Sequence, residues 1–226
     1  MSILEEVLTT LKTLLGPDGC AWDRAQTMAS IRASLLEETC EAIDAIDACD
    51  GVHIKEELGD LLFNALFLCL LAEKENYATF HEIVQGLNDK LIYRHPHVFG
   101  GKDQIASPEA VLDQWDQLKK TEKGKEMRQS ALDGIPKALP VLARTQKVLK
   151  KMKKKGFVPN PLEEKSREIA IGNALLQLVQ EAQSQSVEAE FALRNVLDQH
   201  ESAFKAYEAE LSSSSSETSS KNGVVK

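Results

Sequence analysis

Several features that would fix a function class at once are missing from this sequence. There is no CxxC pair and no His/Cys spacing of the zinc-binding kind. The 4 cysteines stand apart as Cys20, Cys40, Cys49 and Cys69, which argues against a zinc site and a disulfide framework and leaves reduced thiols serving as small core residues. Long apolar runs are absent too. The longest, Leu61 to Ala72, is broken by Asn64 and falls far short of the ~20 residues that cross a bilayer. The opening segment MSILEEVLTTLKTLL carries two early glutamates where a signal peptide would have a basic region, so a cytoplasmic protein with no membrane partner is expected. An excess of positive charge is likewise lacking. The formal net charge is -8 and the pI about 5.3, which disfavours a stable nucleic-acid partner but leaves room for a small anionic ligand held by a few local cations.

Sustained two-residue alternation, the mark of strands, does not occur, whereas apolar residues recur at helical spacing almost throughout; an all-α fold follows. In a chain of 226 residues with 42% hydrophobic content, that pattern supports one substantial core or two small ones. The spacing predicts helices near 2–15, 27–48, 53–75, 79–93, 108–126, 136–154, 162–183 and 187–210. GPDGCAWD and RHPHVFGGKD, each with Gly and Pro, read as loops. SALDGIPKALP reads as a turn with Pro136 near a helix start, and the helix after it ends at Gly156. The lysines from Lys147 to Lys155 near that end fit a solvated helix terminus with cations at its negative pole. From Ser212 onward the serine-rich tail has nothing to bury, and 212–226 is expected to be disordered.

Chemistry concentrates in two helices. On SIRASLLEETCEAIDAI, steps of about 100° place Leu35, Ala42 and Ile46 within roughly 60° of Ile31. Glu38 falls inside that buried arc, with Glu41 and Glu37 further along the same flank. An ionised carboxylate on a buried face is costly unless a cation or several donors meet it. In KEELGDLLFNALFLCLL, Glu57, Asp60 and Asn64 form one polar stripe on an otherwise apolar helix. If the two helices pair antiparallel, Glu38 and Glu41 come opposite Glu57 and Asp60 with no basic residue at those positions. Such a cluster needs neutralising, and an oxygen-only ligand set suits Mg²⁺ or Mn²⁺ better than zinc. A solvated acidic face is the simpler alternative. A di-iron or di-manganese bundle is another, but it calls for Glu-x-x-His, and no glutamate here has a histidine three residues on.

EETCE at 37–41 followed by ELGDLLF at 57–63 resembles the EExxE…ExxD signature of the all-α nucleoside triphosphate pyrophosphohydrolases. GCAWDRAQT, DKLIYRHPHVFG, VLDQWDQLKKTEK and SALDGIPKALPVLARTQKVLKKMKKKGF are similar, in order, to segments of the MazG family. The resemblance covers residues 1 to about 157 and implies a helical bundle completed by dimerisation. It also implies Mg²⁺-dependent cleavage of nucleoside triphosphates between the α- and β-phosphates, and a house-cleaning role. Glu38, Glu41, Glu57 and Asp60 would hold the metal, with Glu37 a helper or water-orienting base. Lys90 and Arg94 would meet the phosphates and Asn88 would line the same pocket. Trp115 and Lys119, one turn apart on a helix face, would approach the base and a phosphate. A non-catalytic nucleotide-sensing or helical interaction module is the alternative.

MazG proteins typically repeat their domain, and GDLLFNALFLCLLAEKE is weakly echoed by GNALLQLVQEAQSQS. In the echo Ala170 stands for Glu57 and Asn173 for Asp60, while Gln199 and Ala203 stand for Lys90 and Arg94. The expected organisation is a MazG-like catalytic domain at 1–130, a connecting segment at 131–156, a degenerate second unit at 157–211, and the tail. The second unit would then act structurally, within a homodimer.

Overall fold

A computed structural model describes residues 2–101, 107–119 and 129–221, without the side chains of residue 116 and of 212–221. It divides into two compact units, Met1–Thr121 and Glu122–Lys226. Among the described residues there is no strand.

The first unit begins with α1 (Ile3–Leu15), whose start is fixed by a capping box. Glu5 N–H donates to Ser2 Oγ at 3.3 Å, and Ser2 N–H donates to the Glu5 carboxylate at 2.6 Å. A short helix, α2 (Ala21–Ala25), lies inside the segment expected to be a loop. Helices α3 (Arg32–Asp47) and α4 (Gly51–Lys74) follow as a tight hairpin. The turn between them places Cys49 at φ 53°. Asp50 then caps α4 by accepting from the Val52 and His53 amides at 3.0 and 3.2 Å.

The core of this unit collects on the C-terminal half of α4. Leu66, Phe67, Leu70 and Leu71 are buried with Leu11 of α1 and with Ile31, and the Phe63 and Phe67 rings stack at 5.3 Å. The far end of α4 also anchors the segment before α3. Lys74 Nζ donates to the Arg24 and Gln26 carbonyls at 2.7 and 3.2 Å, and Met28 N–H donates to Glu75 at 2.8 Å. The buried face of α3 is Ile31, Ala42 and Ala45, while Ile46, expected inside, is 54% exposed. On the same angular scale Ala45 lies about 40° to the Glu38 side of Ile31, so the buried arc leans toward Glu38 rather than away from it.

Next come α5 (Phe80–Arg94), opened by a Thr79–Glu82 capping box, then α6 (Pro96–Phe99) and α7 (Pro108–Leu118), both against α5. Helix α6 replaces part of the expected loop at 94–103. The later part of the helix expected over 108–126 lies outside the described residues.

In the second unit α8 (Val141–Lys154), α9 (Arg167–Ser184) and α10 (Ala189–Lys221) pack on one another, with Leu149 and Val179 buried. The sequence reading makes 131–156 a connector. Instead α8 is an amphipathic member of this unit, because its apolar stripe finds α9 and α10. Its Gln146 donates to the Val187 carbonyl at 2.8 Å and accepts from Ala189 N–H at 3.0 Å, fixing the turn between α9 and α10. The helical backbone of α10 runs on to Lys221, where composition alone leads one to expect disorder from Ser212.

Candidate metal centre

The α3–α4 hairpin carries the acidic residues toward each other because its turn spans only Ala48 to Asp50, which forces neighbouring turns of the two helices into register. One carboxylate oxygen from each of Glu38, Glu41 and Glu57 lies within 4.8 Å of the other two. Glu38 and Glu57 are partly buried and Glu41 is exposed. Asp60 is not in this closest group, yet its charge acts on both Glu38 and Glu57. Glu37 is exposed, and its charge is the smallest of the influences on Glu38.

Two of these groups titrate abnormally. Burial first, then the negative charges of Asp60, Glu41, Glu57 and Glu37, push the Glu38 carboxyl above the ordinary glutamate range. Glu57 is raised as well, by burial, then Glu41, Glu56 and Asp60, with His53 pulling the other way. Carboxylates held together at this separation without a cation repel, and raised proton affinity is the expected response. An all-oxygen set of this size fits a hard divalent cation. Asn64, one turn past Asp60, is 1% exposed. Its amide donates to the Asp60 carbonyl at 3.2 Å, and its side-chain oxygen is buried without a partner. The polar stripe on α4 therefore runs from the carboxylates into the core.

The other residues expected at the site lie on α5 and α7. Asn88 and Lys90 are exposed on α5, the helix that packs against α4, and Arg94 ends it partly buried. Trp115 is half-buried on α7, with the Lys119 ammonium 5.7 Å from its ring centre. The His95 ring meets the indole edge to face at 5.0 Å and 81°. His95 and His97, whose rings are 5.6 Å apart, were not singled out in the sequence. Both lie within the RHPHVF string, but one turn of helix shows no periodicity that would mark them.

Residues 26–99 match the family model of the MazG nucleotide pyrophosphohydrolase domain. Over 224 residues the chain is 32% identical to a Thermotoga maritima protein named nucleoside triphosphate pyrophosphohydrolase/pyrophosphatase MazG, covering 91% of this chain and 86% of that one. The chain belongs to the MazG family. It is 42% identical over 158 residues to the Escherichia coli K12 nucleoside triphosphate pyrophosphohydrolase, covering 70% of this chain and spanning only 60% of the length of that relative. A crystal structure of a MazG-related protein from Thermotoga maritima aligns with a TM-score of 0.46 at 24% identity, covering 51% of this chain and 98% of the other. The MazG match at 26–99 takes in all five acidic residues with Asn88, Lys90 and Arg94, and it ends before Trp115 and Lys119.

Among the described residues, the Glu38, Glu41 and Glu57 group is the only cluster of metal-ligating side chains. In the second unit, Asn173 at the position aligned with Asp60 is buried. It accepts from Leu162 N–H at 3.0 Å and donates to the Leu162 carbonyl at 2.8 Å. That amide holds a backbone segment.

Proposed function

We propose that this chain is a Mg²⁺-dependent nucleoside triphosphate pyrophosphohydrolase, working through the carboxylates of the α3–α4 hairpin. The observation that carries the reading is the approach of Glu38, Glu41 and Glu57 oxygens to within 4.8 Å of one another, with two of the three groups shifted toward protonation by that crowding. Glu38, Glu41, Glu57 and Asp60 would hold Mg²⁺, or Mn²⁺ in its place. A bound cation there supplies charge neutralisation for the triphosphate and a water of lowered pKa. Glu37, exposed beside the cluster, is placed to take the proton of the attacking water. The water oxygen bonds to the α-phosphorus, the bond to the bridging oxygen breaks, and the monophosphate and pyrophosphate separate. Lys90 and Arg94 on α5 would stabilise the charge that gathers on the pyrophosphate, with Asn88 lining the same space. Trp115 and Lys119 would receive the nucleoside end.

The chain is proposed to act as a homodimer in the cytoplasm, clearing aberrant nucleotides. Support for self-association comes from Leu36 on α3, Leu58 and Leu62 on α4, and Leu87 and Leu91 on α5, all exposed within the first unit. The second unit would be a degenerate MazG-like repeat with a structural role. Incubation with Mg²⁺ and each of the common ribo- and deoxyribonucleoside triphosphates, followed by a pyrophosphate assay, tests the activity. Release that disappears in the Glu38→Ala, Glu41→Ala double variant is expected. Nucleotide binding without release above that control would mean a nucleotide-sensing module instead.

A further inference from the structure

We infer that Trp115, Gln114 and His97 form a hydrogen-bonding subsite for a nucleobase that presents a carbonyl oxygen, a proposal that rests on the nucleotide-hydrolase reading and adds a base preference to it. Four buried side-chain polar atoms among the described residues have no hydrogen-bond partner, and three of them lie here: Trp115 Nε1, Gln114 Nε2 and His97 Nδ1. The fourth, on Asn64, belongs to the carboxylate stripe. Buried polar groups are nearly always paired, and leaving one unpaired costs free energy. Three together on two short neighbouring elements mark a place built for a ligand that brings acceptors.

The indole decides the sign, because its N–H can only donate. It is also held in place. A carbonyl can only accept, so His95 Nδ1, 2.6 Å from the Leu91 carbonyl, donates to it, and this fixes the ring that meets the indole. Lys119 lies over the indole ring, so the edge of Trp115 is left to address a ligand more than its face. This flexible lysine is the group that must swing aside on binding. The acceptor is assigned to a base rather than a phosphate because the cluster is aromatic, with Lys119 the one cation assigned to it. Meanwhile α5, on which both α6 and α7 pack, already carries Lys90 and Arg94. A carbonyl oxygen has two lone pairs and accommodates two donors, the indole N–H and the Gln114 amide. Uracil, thymine, guanine and hypoxanthine place an oxygen at the ring position where cytosine and adenine place an amino group. An amino group would face those two donors with hydrogens of its own.

The test uses the full chain with Mg²⁺ and the non-hydrolysable α,β-methylene analogues of UTP and CTP, which differ at that one substituent of the base, with Kd measured by titration calorimetry. The UTP analogue is expected to bind about tenfold more tightly, in line with sites that reject a ligand unable to satisfy their buried polar groups. Trp115→Phe keeps an aromatic ring and removes the N–H. It should weaken the UTP analogue by about tenfold and shift the CTP analogue less, drawing the ratio toward one. Gln114→Leu should move the ratio in the same direction, and thermal melts would establish that both variants fold. Equal binding of the two analogues by the unaltered chain overturns the subsite alone. So does a Trp115→Phe loss that is the same for both, which would mean the ring acts only by stacking. Binding of neither analogue overturns the nucleotide reading together with the subsite.

Discussion

Glu38 holds a carboxylate where α3 buries Ile31, Ala42 and Ala45, and both causes of its abnormal titration, burial and neighbouring negative charge, act in one direction. A raised carboxyl pKa means that the folded chain binds more protons than the unfolded one between the ordinary glutamate value and the raised value. In the absence of metal, its contribution to stability is therefore fully present below the ordinary value and is lost as pH climbs through the raised one. Glu57 adds to the same trend. Glu38→Gln is accordingly expected to raise the metal-free melting temperature at neutral pH by a few degrees, with the difference from the unaltered chain vanishing below the ordinary glutamate range. Added Mg²⁺ should stabilise the unaltered chain at neutral pH and progressively less as acidification protonates its ligands; melts with and without Mg²⁺ across pH check both signs. The angular position of Glu38 was legible because a charge in an apolar arc breaks a pattern. The aromatic cluster was not: Gln114 and His97 become conspicuous only through the partners they lack.

At the scale of elements, α4 joins two jobs end to end. Its first turns bear Glu57 and Asp60, and its later ones bear Phe67 and Leu71, both fully buried. Phe67→Ala should lower the unfolding free energy by about 3–5 kcal/mol, measured by urea denaturation, because the cavity would open in the middle of the unit's core. Long helices such as α4 and α9 were readable from periodicity, since apolar spacing repeats over several turns. Helices α2 and α6, of 5 and 4 residues, were not. Each sits in a segment where Gly and Pro dominate the local signal and where a single turn cannot display a period. For α8 the helix itself was readable and its allegiance was not, because an amphipathic stripe states that a partner exists without naming it.

For the whole molecule, the two units stand differently toward charge. The first gathers carboxylates; the second has Asn173 clamped to both backbone groups of Leu162 at the aligned position. Asn173→Ala removes both bonds and leaves buried backbone groups without partners. It should destabilise the second unit by about 1–3 kcal/mol, read as an earlier unfolding step in a denaturant titration, whereas Asn173→Asp should not create a second hydrolytic site. The loss of chemistry from the second half was visible in sequence as missing acidic residues, but the use to which the amide is put required the structure. An amide at that position also frees the second unit from any need for a counter-ion. Under magnesium starvation or in strong chelator, the half of this protein bearing the candidate chemistry is the half whose folding would weaken, while the other keeps its shape. Scarcity of the metal would thus be felt first where the metal is used.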